Sequence, residues 1–318
     1  MPRPDNTCPV CRRTTRRVDP CHRVNTLSTE HLAGRHEDPL WRCEGCGFWW
    51  IDPAPNLQAL ADGYRETEVG HWGAPGAAKS LVARDLTGKV ARVVSRVPGG
   101  RALDVGCFHG DLLAALPDSF ERVGIELSRS ASEMARSRGI TVVEGDAMSA
   151  APQGLFDVVF CMDTIEHIES QRAFAERLAS WLAPDGLLVI ETGDTDCPMA
   201  RFMGPRWSYM SLVEHVCAHS RRSLNQLMSQ VGLSPVHTER RFHTRPAARY
   251  TPLQRTLLAA AFRGVTGTLD LVHRVVQLPA PLERLRTRFA PWHATTDHLL
   301  AFYSPIASRL LATEARAP

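Results

Sequence analysis

The sequence predicts an α/β fold: a parallel sheet covered by helices on both faces, preceded by a small cysteine-rich module. Three observations predict it. From about residue 77, apolar runs of strand length alternate with helical stretches, and such alternation builds a parallel sheet. Residues 101–110 read Arg-Ala-Leu-Asp-Val-Gly-Cys-Phe-His-Gly, and Glu126 closes the next apolar run, giving the order strand, glycine turn, helix, strand, acid. Five of the nine cysteines fall within the first 46 residues.

Length and composition set the outer bounds. A chain of 318 residues suffices for one large domain or a core with an appendage. Its 44% apolar and 22% charged residues are those of an ordinary globular protein, and a net charge of +3 gives no general argument for a nucleic-acid partner. No DNA partner is expected, and RNA has little support. No apolar run approaches the roughly 20 residues of a membrane span, and Met1-Pro-Arg-Pro-Asp-Asn-Thr7 has no signal-peptide core. The expectation is a cytoplasmic protein, where cysteines serve metals or burial rather than disulfides. Cys107, Cys161, Cys197 and Cys217 lie in apolar segments and read as small core residues.

The first element, residues 1–52, carries Cys8-Pro-Val-Cys11 and Cys43-Glu-Gly-Cys46. Each Cys-x-x-Cys knuckle offers two thiolates from a tight turn, and two facing knuckles complete a tetrahedral zinc site with no open position. The expectation is a structural zinc ribbon on Cys8, Cys11, Cys43 and Cys46, with Cys21 and His22 as spare ligands. Arg12, Arg13, Arg16 and Arg17 form a basic cluster beside it. Phe48-Trp-Trp-Ile51 should pack the ribbon on the next domain, and Asp52-Pro-Ala-Pro55 marks the boundary. Residues 53–76 read as a linker.

The core, residues 77–248, opens with helical spacing over 78–96. Strands are predicted at 101–106, 121–126, 140–143, 155–161 and 186–191, with helices at 110–116, 128–138 and 169–182. Ligands of such sheets bind beyond the C-terminal strand ends, and Asp104, Glu126, Asp146 and Asp163 all fall there. Gly106 and Gly110 allow close backbone approach to a nucleotide-like ligand, and a carboxylate at the next strand tip suits ribose hydroxyls.

These segments resemble the ordered motifs of class I S-adenosylmethionine (SAM) methyltransferases. Asp104-Val-Gly-Cys-Phe-His-Gly110 is similar to their first motif, with Phe108 in place of its middle glycine. Val123-Gly-Ile-Glu126-Leu127 resembles the ribose-binding motif, and Glu144-Gly-Asp146-Ala147 the segment that reads adenine. Phe156 to Asp163 resembles the fourth motif, which lines the methionine end, and Leu182-Ala-Pro-Asp-Gly186 the turn before the fifth strand. The resemblance covers about residues 80–240. It implies a Rossmann-like seven-stranded sheet and SAM as cofactor, held by Asp104, Gly106, Cys107, Gly110, Glu126, Leu127, Asp146, Ala147 and Asp163. Zinc-ribbon sugar C-methyltransferases, which the N-terminus also resembles, commonly carry a non-glycine residue at the Phe108 position.

Methyl transfer to oxygen or carbon also needs a proton removed, commonly by histidine. Glu214-His215, followed by Ser220-Arg-Arg-Ser223-Leu, resembles the segment of the sugar C-methyltransferases that carries a proposed base. The resemblance makes His215 the expected base and Glu214 its partner or a substrate contact. Asp163-Thr-Ile-Glu166-His167 would share one helical face, and it resembles the Glu-x-x-Glu-His metal cluster of ubiquinone-pathway O-methyltransferases and small-RNA 2′-O-methyltransferases. A second metal there is an open alternative.

Beyond the core, residues 233–240 read as a sixth strand and 297–303 as a seventh inserted antiparallel beside it. Residues 249–294 form a helical insert, a possible acceptor-site lid, and 295–318 hold the last strand and tail. Within 251–288, six arginines face Asp270 and Glu283, a net of +4, so a peripheral membrane contact is one expectation. The leading functional expectation is a SAM-dependent methyltransferase acting on oxygen or carbon of a small molecule, a sugar or natural-product intermediate. The alternatives are a zinc-containing rRNA base methyltransferase and a non-catalytic SAM-binding scaffold.

Overall fold

The computed structural model describes residues 7–13, 15–17, 21–24, 35–66, 82–241, 251–273, 278–279, 281–282, 285 and 297–308. The N-terminal module contributes five short strands: β1 (Arg16–Arg17), β2 (Cys21–Val24), β3 (Arg35–Asp38), β4 (Leu40–Arg42) and β5 (Trp49–Ile51). Helix α1 (Leu57–Glu66) then occupies the first part of the stretch expected as a linker, and it buries Ala59 and Leu60 against Val213. The linker reading is corrected there: α1 is packed on the core.

The core alternates as expected. Helix α2 (Val82–Val94) precedes β6 (Gly100–Val105), α3 (Asp111–Ala114), β7 (Phe120–Glu126), α4 (Arg129–Ser137), β8 (Thr141–Glu144), β9 (Phe156–Met162), α5 (Gln171–Ser180) and β10 (Leu182–Gly193). Then come α6 (Pro198–Met203), β11 (Cys217–Ala218), α7 (Arg221–Ser229), β12 (Leu233–Arg241), α8 (Pro252–His273) and β13 (His298–Pro305). Seven strands form one sheet in the order β12-β13-β10-β9-β6-β7-β8. Only β13 runs antiparallel to its neighbours. The chain leaves β6 for β7 on one side and returns to β9 on the other, so a topological switch point, and its ligand crevice, lies at the C-terminal end of β6.

Strand period two explains the two cores. Leu103, Val105, Ile125, Val159, Cys161, Leu188 and Ile190 face one layer, while Ala102, Val158, Phe160, Leu187 and Val189 face the other. The first layer continues into the ribbon through Cys8, Cys43, Cys46, Phe48 and Trp50. The expected packing of Phe48–Ile51 on the core takes a specific form. Strand β5 pairs antiparallel with β11, matching Trp50 with Cys217 and Trp49 with Ala218. Cys107, Cys161, Cys197 and Cys217 are all buried, in line with their reading as core residues.

Candidate active site

The loop after β6 is shaped by its glycines. Gly106 (φ +80°) and Gly110 (φ +77°) are left-handed, and a Cβ on Gly106 would come within 2.6 Å of Thr164 Oγ1. Phe108 adopts φ +47°, so it holds the left-handed turn despite its side chain, and its ring lies tilted against His109. Its amide donates to Glu126 Oε2 at 2.7 Å, while Ser128 N donates to Oε1 at 2.7 Å. Glu126 is thus fixed by one backbone bond on each oxygen, with lone pairs left for a ligand's hydroxyls. Burial nevertheless raises its pKa.

Asp104 sits beneath the loop, and its buried Oδ1 has no hydrogen-bond partner among the described residues. Burial, reinforced by the Glu126 charge, pushes its pKa up to about 7. A cationic ligand group would restore the ionised form. Cys107 turns its side chain down onto Gly124, so only its backbone is available to a ligand. Leu127, Asp146 and Ala147 are half-buried at the neighbouring strand ends, and Asp146 Oδ1 accepts from Met148 N at 2.6 Å.

Asp163 departs from the helical arrangement expected for it. It is left-handed (φ +46°) and precedes a single 3₁₀ turn, Ile165–His167, so Asp163, Glu166 and His167 do not share an α-helical face. Its Oδ1 lies 3.5 Å from His298 Nε2. His298 opens β13 opposite Gly193, and its Nδ1 lies 3.1 Å from Asp297 Oδ1. Burial alone would lower this imidazole. The hydrogen bond to Asp297 and the charges of Asp163 and Glu191 instead raise it to about 9. Lys89 of α2 pairs with Glu191.

Glu166 converges instead with His167 and His215, with ligand-capable atoms within 4.8 Å of one another. His215 Nδ1 lies 2.7 Å from the Tyr209 carbonyl, and His167 Nδ1 lies 2.9 Å from the Glu214 carbonyl. Carbonyls only accept, so both Nδ1 atoms carry a proton, and Nε2 is the ring nitrogen through which each imidazole would act as base or ligand. The partner of His215 Nδ1 is therefore a backbone carbonyl rather than the expected Glu214 carboxylate. Glu166 Oε2 accepts from Thr192 Oγ1 at 3.1 Å. The Tyr209 ring lies tilted against His215, centroids 4.3 Å apart, and its hydroxyl accepts from Gly193 N at 2.9 Å. Any Cβ on Gly193 would strike this ring at 2.4 Å.

Sequence reasoning missed Lys89, Tyr209, His298 and Tyr64, whose hydroxyl lies 3.2 Å from His167 Nδ1. For His298 a signal existed: an antiparallel seventh strand puts its first residue level with the C-terminal ends of the others.

In the ribbon, Cys8 and Cys46 sulfurs lie 3.6 Å apart, and those of Cys11 and Cys43 3.3 Å apart. Knuckle amides aim at sulfur, Cys11 N at Cys8 Sγ and Cys46 N at Cys43 Sγ. Sulfurs about 2.3 Å from a central zinc would stand at comparable separations, so the four residues fit the ion. The Cys46 hydrogen bond, opposed by burial, lowers the Cys8 thiol to about 6. Cys21 is not a spare ligand: its thiol donates to the carbonyls of Pro205 and Met210. The His22 side chain lies outside the described residues.

The model of a family described as a methyltransferase domain matches residues 79–238. The chain belongs to this family. Its core is a class I methyltransferase domain. Over 157 residues it is 31% identical to a ubiquinone biosynthesis O-methyltransferase of Xanthomonas campestris, covering 43% of this chain and 65% of that protein. It is 29% identical over 154 residues to phosphoethanolamine N-methyltransferase 3 of Arabidopsis thaliana, covering 45% and 31%. The matches thus span less than two thirds of these relatives. Among solved structures, the N-methyltransferase NodS of Bradyrhizobium japonicum gives a TM-score of 0.49 at 15% identity, covering 79% of this chain and all of that one.

Proposed function

We propose that this methyltransferase-domain protein moves the methyl group of SAM to an oxygen or carbon of a small molecule, a sugar or natural-product intermediate. Asp104, Gly106, Cys107 and Gly110 with Glu126, Leu127, Asp146, Ala147 and Asp163 would hold the cofactor, and Cys8, Cys11, Cys43 and Cys46 a structural zinc. SAM, when bound, supplies an already activated methyl group, so the protein's part is alignment and proton removal. The buried, unpartnered Asp104 oxygen suits a cationic cofactor, and both Glu126 oxygens are pre-set for a ribose.

The observation that carries the catalytic reading is the His215 geometry. Its Nδ1–H is held by the Tyr209 carbonyl, which fixes the ring and makes Nε2 the atom that would take the acceptor's proton. The names of the O-methyltransferase relatives support a hydroxyl acceptor. Calorimetry with S-adenosylhomocysteine should show binding, and His215→Ala should lower turnover by about 10²–10⁴-fold while leaving that affinity unchanged. Absence of binding at millimolar ligand rejects the cofactor site, and normal turnover in the variant removes His215 from the mechanism.

A second reading of the same cluster is favoured by the convergence of Glu166, His167 and His215 within 4.8 Å. Those residues would hold a divalent cation that orders the acceptor oxygens. Manganese binding followed by electron paramagnetic resonance distinguishes the readings: a site abolished by Glu166→Gln favours the cation, and no bound manganese favours the free base.

A further inference from the structure

Helix α8 reverses the usual relation of an amphipathic helix to its protein. Leu253 (69% exposed), Leu257 (59%), Val265 (49%) and Leu271 (66%) project outward together with Val272. These positions recur at helical spacing with exposed Ala261, Gly264 and Thr268 between them, so the described positions of this outer face are uncharged along about 30 Å of helix. Phe262, Leu269 and buried Thr266 lie on the opposite side. Phe202, 43% exposed on α6, lies under the Arg263 guanidinium, which stands 5.1 Å from its ring centroid.

We propose that α8 is a docking helix that lays this apolar ridge into the interface of an anionic membrane. Charge selects the occupant. The segment 251–288 carries a net of +4, which two copies of the chain would bring together unfavourably and which anionic headgroups neutralise. A dissolved polyanion such as RNA would satisfy the arginines but leave the leucine ridge in water. An uncharged ridge within an arginine-rich segment matches the two layers of a bilayer interface. Phe262 packs against the cluster of Trp49, Trp207 and Tyr209, and the Tyr209 ring lies against His215. The docking helix and the candidate site therefore share a wall, which fits an apolar acceptor taken from the membrane. That last point rests on the proposed catalytic site; the docking itself does not.

Sedimentation of the full chain with vesicles tests it. Vesicles of phosphatidylcholine with about a quarter phosphatidylglycerol should bind the protein at least about tenfold more tightly than phosphatidylcholine alone, with the difference shrinking in high salt. Leu257→Glu with Leu271→Glu should reduce binding by about tenfold or more. S-adenosylhomocysteine affinity of that variant should equal the parent's, and if its melting shows misfolding, Leu257→Gln with Leu271→Gln takes its place. No vesicle binding by the parent, or undiminished binding by the variants, overturns the proposal. So does a dimer, seen by light scattering, that the same substitutions dissociate. Failure of the parent to bind S-adenosylhomocysteine counts against the catalytic reading instead, because vesicle binding does not depend on it.

Discussion

Three carboxylates, those of Asp163, Glu191 and Asp297, bear on the buried ring of His298, with Lys89 and the Tyr209 ring close by. A ring held to about 9 in the folded chain stays protonated at neutral pH. Its folded pKa exceeds the unfolded value near 6.5, so the stability it contributes is complete below about pH 6.5 and is lost as pH rises through about 9. Urea midpoints measured across that window should fall in the parent and fall less in His298→Gln; equal slopes would remove His298 from the account. At Glu126, Ala substitution deletes two anchored backbone bonds and the proposed ribose acceptor together. S-adenosylhomocysteine binding should weaken by about 2–3 kcal/mol, roughly 30–150-fold by calorimetry. Glu126 and Asp104 were legible because their positions follow from local strand order. For His298 the strand order offered the position but not the partner, since Asp163 lies on the far side of the helical insert in sequence. The role of Phe108 also needed coordinates, because a left-handed phenylalanine cannot be read from composition.

The ribbon was legible as an element because knuckle spacing is local chemistry. Its attachment was not, because β11 is two residues long and has no periodic signal. Three side-chain bonds fasten the second knuckle to the core, two of them from the segment after His215 and one from just past the end of β10. Ser220 Oγ donates to Cys46 O, Thr195 Oγ1 to Gly47 O, and Arg222 to Gly45 O. Ser220 is also the N-cap of α7 in a reciprocal capping box with Ser223. Ser220→Ala therefore removes a cap and a tether, and thermal or urea unfolding should show a loss of about 1–2 kcal/mol. Metal analysis should find one zinc per chain in the parent and none in Cys43→Ser with Cys46→Ser; retained zinc would reject the assignment. The linker expected at 53–76 was misread for a related reason. Pro53 and Pro55 signal a break, but α1 begins just after them and is recruited by contact with Val213, a distant residue.

Over the whole molecule, seven strands in the expected order place the candidate site at one edge of the β6–β9 crevice, and one apolar layer runs from sheet to ribbon. Unfolding should accordingly be one transition, and stripping the ribbon with a zinc chelator should lower the melting temperature of that same transition. Two separate transitions by calorimetry would mean that the ribbon folds on its own. Among the described residues, no helix is long and apolar enough to cross a membrane. Val216 adds a consequence of another kind. Its N–H is held by the Glu166 carbonyl, and its C=O takes the amide of Ile51, so one peptide segment beside His215 is shared by site and ribbon. Linkage through such a shared segment is reciprocal. If zinc sharpens acceptor affinity, an acceptor must tighten zinc by the same factor, so a cell's zinc supply and the supply of this protein's substrate would be read on a single scale.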